Sequence, residues 1–279
     1  MIREGSPVFS GGSTGTRFQI ASVSKQFAAV SALMLVGRGV LRLDEPITHW
    51  FPNAPDTWRP ITLHHLLTHT SGIGHWADIP GFVPSEAMDV NQRLALFERA
   101  PLMSTPGAEF HYSSPGYLLV GDIVGRAGGR PYTSFLETEI FERLGLSSTN
   151  TGPPPLSADV AHGHRDGSPV PPWDLASMAG TGDIWSTAGD VARFTWALHT
   201  GGLLPSELYR LMITPSSVAP YGYGMYVGQY AGRPARYHTG DNPGFVSLAA
   251  WFPEESVALA VLSNDEVTDL DQRAREVLS

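Results

Sequence analysis

The stretch QIASVSKQF (residues 19–27) sets a serine three residues before a lysine, and Lys25 is the only lysine among the chain's 18 Lys and Arg residues. Guanidinium stays protonated in proteins, whereas a desolvated ammonium on a four-carbon stem loses its proton. A single lysine in an arginine-rich chain marks a position where deprotonation is useful, or else a coding bias with one survivor. The stretch opens an apolar run over residues 22–39, in which Phe27, Val30, Leu33, Met34 and Val36 recur at near-helical spacing and Gly37 and Gly39 end the pattern. This predicts a helix with Ser22 and Lys25 on one face of its N-terminus, where free N–H groups and the positive dipole end suit a developing oxyanion. A neutral Lys25 can take the Ser22 proton as the hydroxyl attacks a carbonyl; arginine cannot. The S-x-x-K spacing alone is weak, since about half of chains this long carry one by chance.

Working outward, residues 61–69, 91–100, 114–129, 132–146, 187–202, 205–214 and 269–278 read as helices. Residues 6–9, 221–228, 235–240, 245–253 and 256–264 read as strands, the last two as a hairpin through Pro253, Glu254 and Glu255. Residues 150–184 are rich in Pro, Gly, Ser and Asp and read as a long loop region; with residues 73–90 they are expected to border a site. The expected class is α/β, of the α+β kind: an antiparallel sheet built from both termini, flanked by helices, with an inserted mainly helical lobe. The 279 residues are read as a single two-lobed catalytic domain, with an α/β lobe over about 1–40 and 215–279 and a helical lobe over about 41–214. A site is expected between the lobes.

Composition excludes several function classes. The net charge is −9 with no basic block, which argues against a nucleic-acid partner. There is no cysteine, so disulfides, thiolate metal sites and a cysteine nucleophile are ruled out. No apolar run reaches the ~18 residues of a membrane span. The opening MIREGSPVFSGG lacks an apolar signal-peptide core, so the chain as written reads as cytoplasmic, and as secreted if its N-terminus is trimmed or misassigned. Oligomeric state is not legible. His64, His65 and His69 have no acidic residue nearby, and no metal or cofactor is expected. His162 and His164 read as surface or cleft-lining residues. Ser13, in GGSTG, lacks the central strand and following helix of a nucleophile elbow and reads as a turn. Trp76, Phe82, Trp173, Tyr221 and Tyr223 read as core, with an acyl pocket as the functional alternative.

Two further segments accompany the S-x-x-K: HYSSPGY (111–117), with Tyr112 just before a helix, and YHTGDNPGF (237–245), with His238, Thr239 and Gly240 at a strand end. The order S-x-x-K, Y-S-S, H-T-G resembles the serine β-lactamase and penicillin-binding-protein superfamily. The nearest resemblance is to its branch of class C β-lactamases, D,D-carboxypeptidases, D-aminopeptidases and family VIII esterases. GVLRLDEPITHWFP, ITLHHLLTHTSGI, PGAEFHYSSPGYLLVGDIV, STAGDVARF and NPGFVSLAAWFP also match, so the resemblance covers nearly the whole chain.

The resemblance implies a β-lactamase/transpeptidase-like fold and an acylated Ser22. Lys25 and Tyr112 would share general-base and general-acid work, and His238 and Thr239 would lie along the substrate; Ser22, Lys25, Tyr112 and His238 are the candidate catalytic residues, His238 through contact with substrate or with the Tyr112–Lys25 network. The backbone N–H groups of Ser22 and Asp241 would form the oxyanion hole. Ser114, Thr239, Gly240 and Asp241 are the candidate substrate-binding residues. The sequence departs from the family pattern in three places. Ser114 stands where the family usually has Asn, and a hydroxyl lacks the amide's paired donor and acceptor. Asp241 puts a carboxylate near the oxyanion hole, where it points away or selects a cationic substrate. The helix and complete strand that usually precede REGSPVFSGG are not seen. The expected activity is cleavage of a small ester, amide or peptide through a Ser22 acyl-enzyme, of the esterase or D-amino-acid amidase/peptidase type. The alternatives are a biosynthetic acyltransferase or cyclase, a β-lactamase or D,D-carboxypeptidase, and a non-catalytic binder on the same fold.

Overall fold

Apolar runs near both ends of the chain build the main sheet. The computed structural model describes residues 1–83, 86–156, 159–171, 173 and 175–279. Its strands are β1 (Ile2–Arg3), β2 (Ser6–Pro7), β3 (Phe18–Gln19), β4 (Asn150–Thr151), β5 (His164–Arg165), β6 (Ser168–Pro169), β7 (Ile184–Ser186), β8 (Tyr226–Tyr230), β9 (Arg233–Asn242), β10 (Phe245–Phe252) and β11 (Val257–Ser263). Its α-helices are α1 (Ser24–Gly37), α2 (Leu63–Leu67), α3 (Val90–Arg99), α4 (Ser114–Ala127), α5 (Tyr132–Leu136), α6 (Glu142–Leu144), α7 (Ala188–His199), α8 (Ser206–Met212) and α9 (Leu270–Leu278).

Among the described residues the main sheet runs β2-β1-β11-β10-β9-β8, with every neighbour pair antiparallel. The strand β10 is buried along its whole length because both of its faces are covered. Leu248, Ala250 and Phe252 face Ala274 of α9. The alternate residue Trp251 packs with Ala192 of α7. Helix α1 is buried from Ser24 to Leu35, as expected of a helix that is apolar all round. Its Phe27 stacks on Phe194 of α7 with ring centroids 3.6 Å apart. A proline near its start and Ser113 at its cap, accepting the Gly116 N–H at 2.9 Å, begin α4. No helix among the described residues is long and apolar enough to cross a membrane.

Three expectations change. The 150–184 region is not a loop throughout: it contributes β4 and β7 to a small sheet ordered β3-β7-β4, and it carries the β5–β6 hairpin. The apolar strand β7 comes from Ile184–Ser186, too short a run to stand out from its polar surroundings. The strand expected at 221–228 begins at Tyr226, because Gly222 and Gly224 break the pairing and Tyr221 makes only an isolated bridge. The helix expected at 132–146 passes through a π-helical turn at Glu137–Phe141 before Gly145 ends it at φ +64°. Residues 84–85, 157–158, 172 and 174, within the two expected site-bordering stretches, lie outside the described residues.

Candidate active site

Ser22 is placed by contacts that hold the chain just before it. β3 pairs with β7, and the Ile20 N–H continues the ladder to the Ile184 carbonyl at 3.0 Å. The chain then turns at Ala21, whose φ of +46° is strained for a residue with a side chain. Ser22 sits in the 3-10 turn Ala21–Val23 that leads into α1, not within the α-helix itself. The turn is clamped from the sheet side. Ser247 donates its hydroxyl to the Ile20 carbonyl at 2.6 Å, and Asn242 Nδ2 donates to Gln19 Oε1 at 2.9 Å. Gly240 lies directly beneath: a Cβ there would stand 2.4 Å from the Ile20 oxygen and 3.0 Å from Ala21 Cβ. The role of Gly240 is therefore close approach of β9 to the turn.

One helical turn on from Ser22, Lys25 is fully buried. Its Nζ lies 3.0 Å from Ser22 Oγ, 3.0 Å from Ser114 Oγ and 3.1 Å from the Thr181 carbonyl. Among the described residues it makes no ion pair. Burial pushes its pKa well below the ordinary lysine value, and the nearby Asp183 carboxyl only partly opposes this. The Tyr112 ring lies 5.0 Å from Nζ. Enclosure pushes the Tyr112 phenol above its ordinary pKa, and hydrogen bonds with Ser22 and Ser114 oppose the shift.

The histidines around this group are held neutral by burial and by Lys25. Burial first, then the lysine charge, lowers the His75 pKa to about 4 and that of His238 to about 3. The Nδ1 of His75 accepts the Ser114 N–H at 3.2 Å, and that of His69 accepts the Ser113 N–H at 3.0 Å. Both rings thus hold the start of α4, which carries Ser114. His238 has both ring nitrogens engaged, Nε2 with the Tyr221 hydroxyl at 2.9 Å and Nδ1 with the Thr239 carbonyl at 2.5 Å. Its ring lies 6.1 Å from that of Tyr112.

A cleft of about 510 Å³ opens over these groups, and Ser22, Tyr112, Ser114, His238, Thr239 and Asp241 all line it. The residues expected to act together therefore share one site, with Gly240 packed behind it. Ser114 faces Lys25 as well as the cleft. His65 instead caps α2, and Ser13 is exposed in a turn with its hydroxyl on Thr16. His164 pairs in the β5–β6 hairpin. Among the described residues no three His, Asp or Glu side chains gather as a metal site.

Sequence reasoning missed His75, Thr181, Asp183, Arg165 and Glu266. Thr181 acts through its carbonyl, which no residue type signals. Asp183 is buried, and one of its oxygens lacks a hydrogen-bond partner among the described residues. Burial raises its pKa to about 7, and Lys25 and the Gly180 N–H oppose that rise. Its burial and its place beside the one lysine are tertiary, and no local pattern marks it in the sequence.

The sequence profile of the Beta-lactamase family matches residues 2–279. The chain is 29% identical over 259 residues to a putative penicillin-binding protein of Bacillus subtilis (strain 168), covering 89% of this chain and 62% of that protein. It is 34% identical over 175 residues to an esterase of Burkholderia gladioli, covering 56% of this chain and 43% of the esterase. It thus spans less than two thirds of the length of these curated relatives. The crystal structure of a D-amino acid amidase from Ochrobactrum anthropi SV3 complexed with D-phenylalanine matches with a TM-score of 0.84 at 28% identity, covering 96% of this chain and 94% of the amidase. Esterase, amidase and carboxypeptidase relatives share this fold, and with a profile match running nearly end to end the chain belongs to the Beta-lactamase family.

Proposed function

We propose that this chain is a serine hydrolase that cleaves an ester or amide through an acyl-enzyme on Ser22. The observation that carries the reading is Lys25: a fully buried amine, 3.0 Å from the Ser22 hydroxyl, without a counter-ion in ion-pair contact among the described residues. Such an amine is neutral more readily than an ordinary lysine and serves as a base. The Tyr112 phenol is held in its protonated form, so Lys25 is the better first acceptor and Tyr112 the better donor.

In this reading Ser22 Oγ bonds to the substrate carbonyl carbon and its proton passes to the Lys25 amine. The oxyanion lies against the N–H groups of Ser22 and Asp241. As the tetrahedral intermediate collapses, the bond to the leaving group breaks, and that group takes a proton relayed from Lys25 through Ser114 and Tyr112. Water then adds to the acyl carbon and gives a proton through Tyr112 and Ser114 to Lys25, which passes it to Ser22 Oγ as the acyl bond to serine breaks and the acid leaves. His238 supports the Tyr112 ring, and Thr239 lies along the substrate. This reading sets the site between an α/β lobe of about residues 1–40 and 215–279 and a helical lobe of about 41–214, although α7, within the second range, packs on the main sheet. Ser114 in place of an amide side chain disfavours recognition of an acylamide, which favours an esterase or D-amino-acid amidase over a β-lactamase.

Intact-mass measurement after incubation with an alkyl fluorophosphonate tests the reading. Ser22 Oγ displaces fluoride from phosphorus, so wild type gains one adduct and Ser22→Ala gains none. An unlabelled wild type, or a labelled Ser22→Ala, overturns it. A stable penicillin adduct on Ser22 would move the reading toward a penicillin-binding peptidase.

A further inference from the structure

The cleft in front of Ser22 carries its charge unevenly. Arg165, Asp241 and Glu266 line it. Arg165 and Glu266 neutralise one another: Arg165 Nε donates to Glu266, whose second oxygen accepts the Gly244 N–H at 2.7 Å. Asp241 is different. Its carboxylate makes no hydrogen bond or ion pair among the described residues; Glu266 adds like charge nearby, and the Arg165 charge, already paired with Glu266, only partly offsets it. His75 and His238 are neutral at physiological pH, and Lys25 is sealed behind Ser22 with its hydrogen bonds used within the protein. The charged side chains lining the cleft among the described residues, one positive and two negative, therefore leave it with a net negative charge. Asp241 shares the cleft lining with Ser22. Asp241 follows Gly240, which presses against Ile20 and Ala21 immediately before Ser22.

We infer that the cleft selects substrates bearing a primary ammonium group, received by Asp241, and rejects substrates bearing a carboxylate. This rests on the Ser22 acyl-enzyme reading and names its substrate class: amino-bearing esters or amides. A substrate carboxylate would meet Asp241 with no free guanidinium or ammonium to receive it. Arg165 could serve only by leaving Glu266, which would expose a second negative charge.

Three fluorophosphonates of equal chain length, ending in an ammonium, a methyl or a carboxylate, test the inference without requiring the natural substrate. The labelling rate of each is measured by intact mass on wild type, Asp241→Asn and Arg165→Gln. In wild type the cationic probe should react about tenfold faster than the anionic one, a ratio typical of a half-exposed charge, and the ratio should shrink as salt is raised. In Asp241→Asn the ratio should fall to within about twofold, whatever the absolute rates. In Arg165→Gln, which frees Glu266, it should rise. Equal rates in wild type, an anionic preference, or a ratio retained in Asp241→Asn would overturn the inference while leaving Ser22 reactive. Absence of labelling by all three probes in wild type, or labelling that persists in Ser22→Ala, would instead overturn the acyl-enzyme reading and the inference with it.

Discussion

The inner wall and the rim of the cleft are built on opposite physical terms. The inner wall, Lys25, Ser114, Tyr112 and His238, is largely enclosed, and its groups are held by neutral protein partners: Lys25 by Ser114, Tyr112 by the Lys25 amine near its ring, and His238 by the Tyr221 hydroxyl. The rim, Arg165, Asp241 and Glu266, stands toward water and carries formal charges. Desolvation is what leaves an amine unprotonated at neutral pH, so the inner wall depends on excluding water. Charges at the rim act through screened fields, which tune selection and approach more than bond making. Substitutions in the wall should therefore cost far more activity than substitutions at the rim.

The sharpest way to break this contrast is Lys25→Arg. The guanidinium keeps its proton, so ester hydrolysis and fluorophosphonate labelling should fall by about 10³-fold or more, the scale of a lost general base. A rate within tenfold of wild type would remove Lys25 as the base and leave the solitary lysine to coding bias.

A smaller effect should follow from Gly240→Ala, which tests whether the sheet sets the position of the nucleophile. The added Cβ would meet the Ile20 carbonyl at 2.4 Å, and backbone cannot yield as a flexible side chain does. A loss of roughly 1–3 kcal/mol in stability is expected from such overpacking, together with a fall in turnover as Ser22 shifts. Thermal melts and initial rates measure the two. Gly228→Ala on β8, where a Cβ meets nothing within 4 Å, is the matched control and should be near neutral. Equal behaviour of the two variants would show that β9 does not fix the turn.

The same contrast explains what was legible in the sequence. Helix α1 and the β10–β11 hairpin were readable because their apolar patterns are long, and the wall was readable because S-x-x-K, Y-S-S and H-T-G occur together in the order that resembles one enzyme superfamily. The rim was not. Arg165 reaches the cleft on a two-residue strand, and Glu266 arrives from a turn after β11, so their meeting is tertiary and leaves no local pattern. The Gly163–Gly244 approach that brings the hairpin in is likewise invisible along the chain: a Cβ on Gly244 would stand 2.5 Å from Gly163 Cα. Asp241 was readable as a departure from the family pattern, but its lack of a partner is a fact of three-dimensional packing. Thr181 could not have been found, since it contributes only a carbonyl to Lys25.

The smallest expected effect concerns the seam between wall and interior. Lys25 is surrounded by Asp183, Tyr112, Tyr117, His69, His75 and His238. The tyrosines are pushed upward and the histidines downward; His75, at about 4, and His238, at about 3, stay neutral above pH 5. Asp183, at about 7, and Lys25, lowered by burial, are left to shape the acid limb. Activity needs the neutral amine, so the rate rises with pH through the lowered lysine pKa. Ionised Asp183 favours the ammonium and raises that pKa; Asp183→Asn removes the charge and should move the limb of kcat/KM to lower pH. At a fixed pH on the wild-type limb, the variant should run about two- to fivefold closer to its own plateau. A purely structural role for Asp183 would lower the plateau and leave the limb in place. A limb that vanishes would assign the titration to Asp183 itself, and one that moves to higher pH would mean that the lysine does not act as the neutral base.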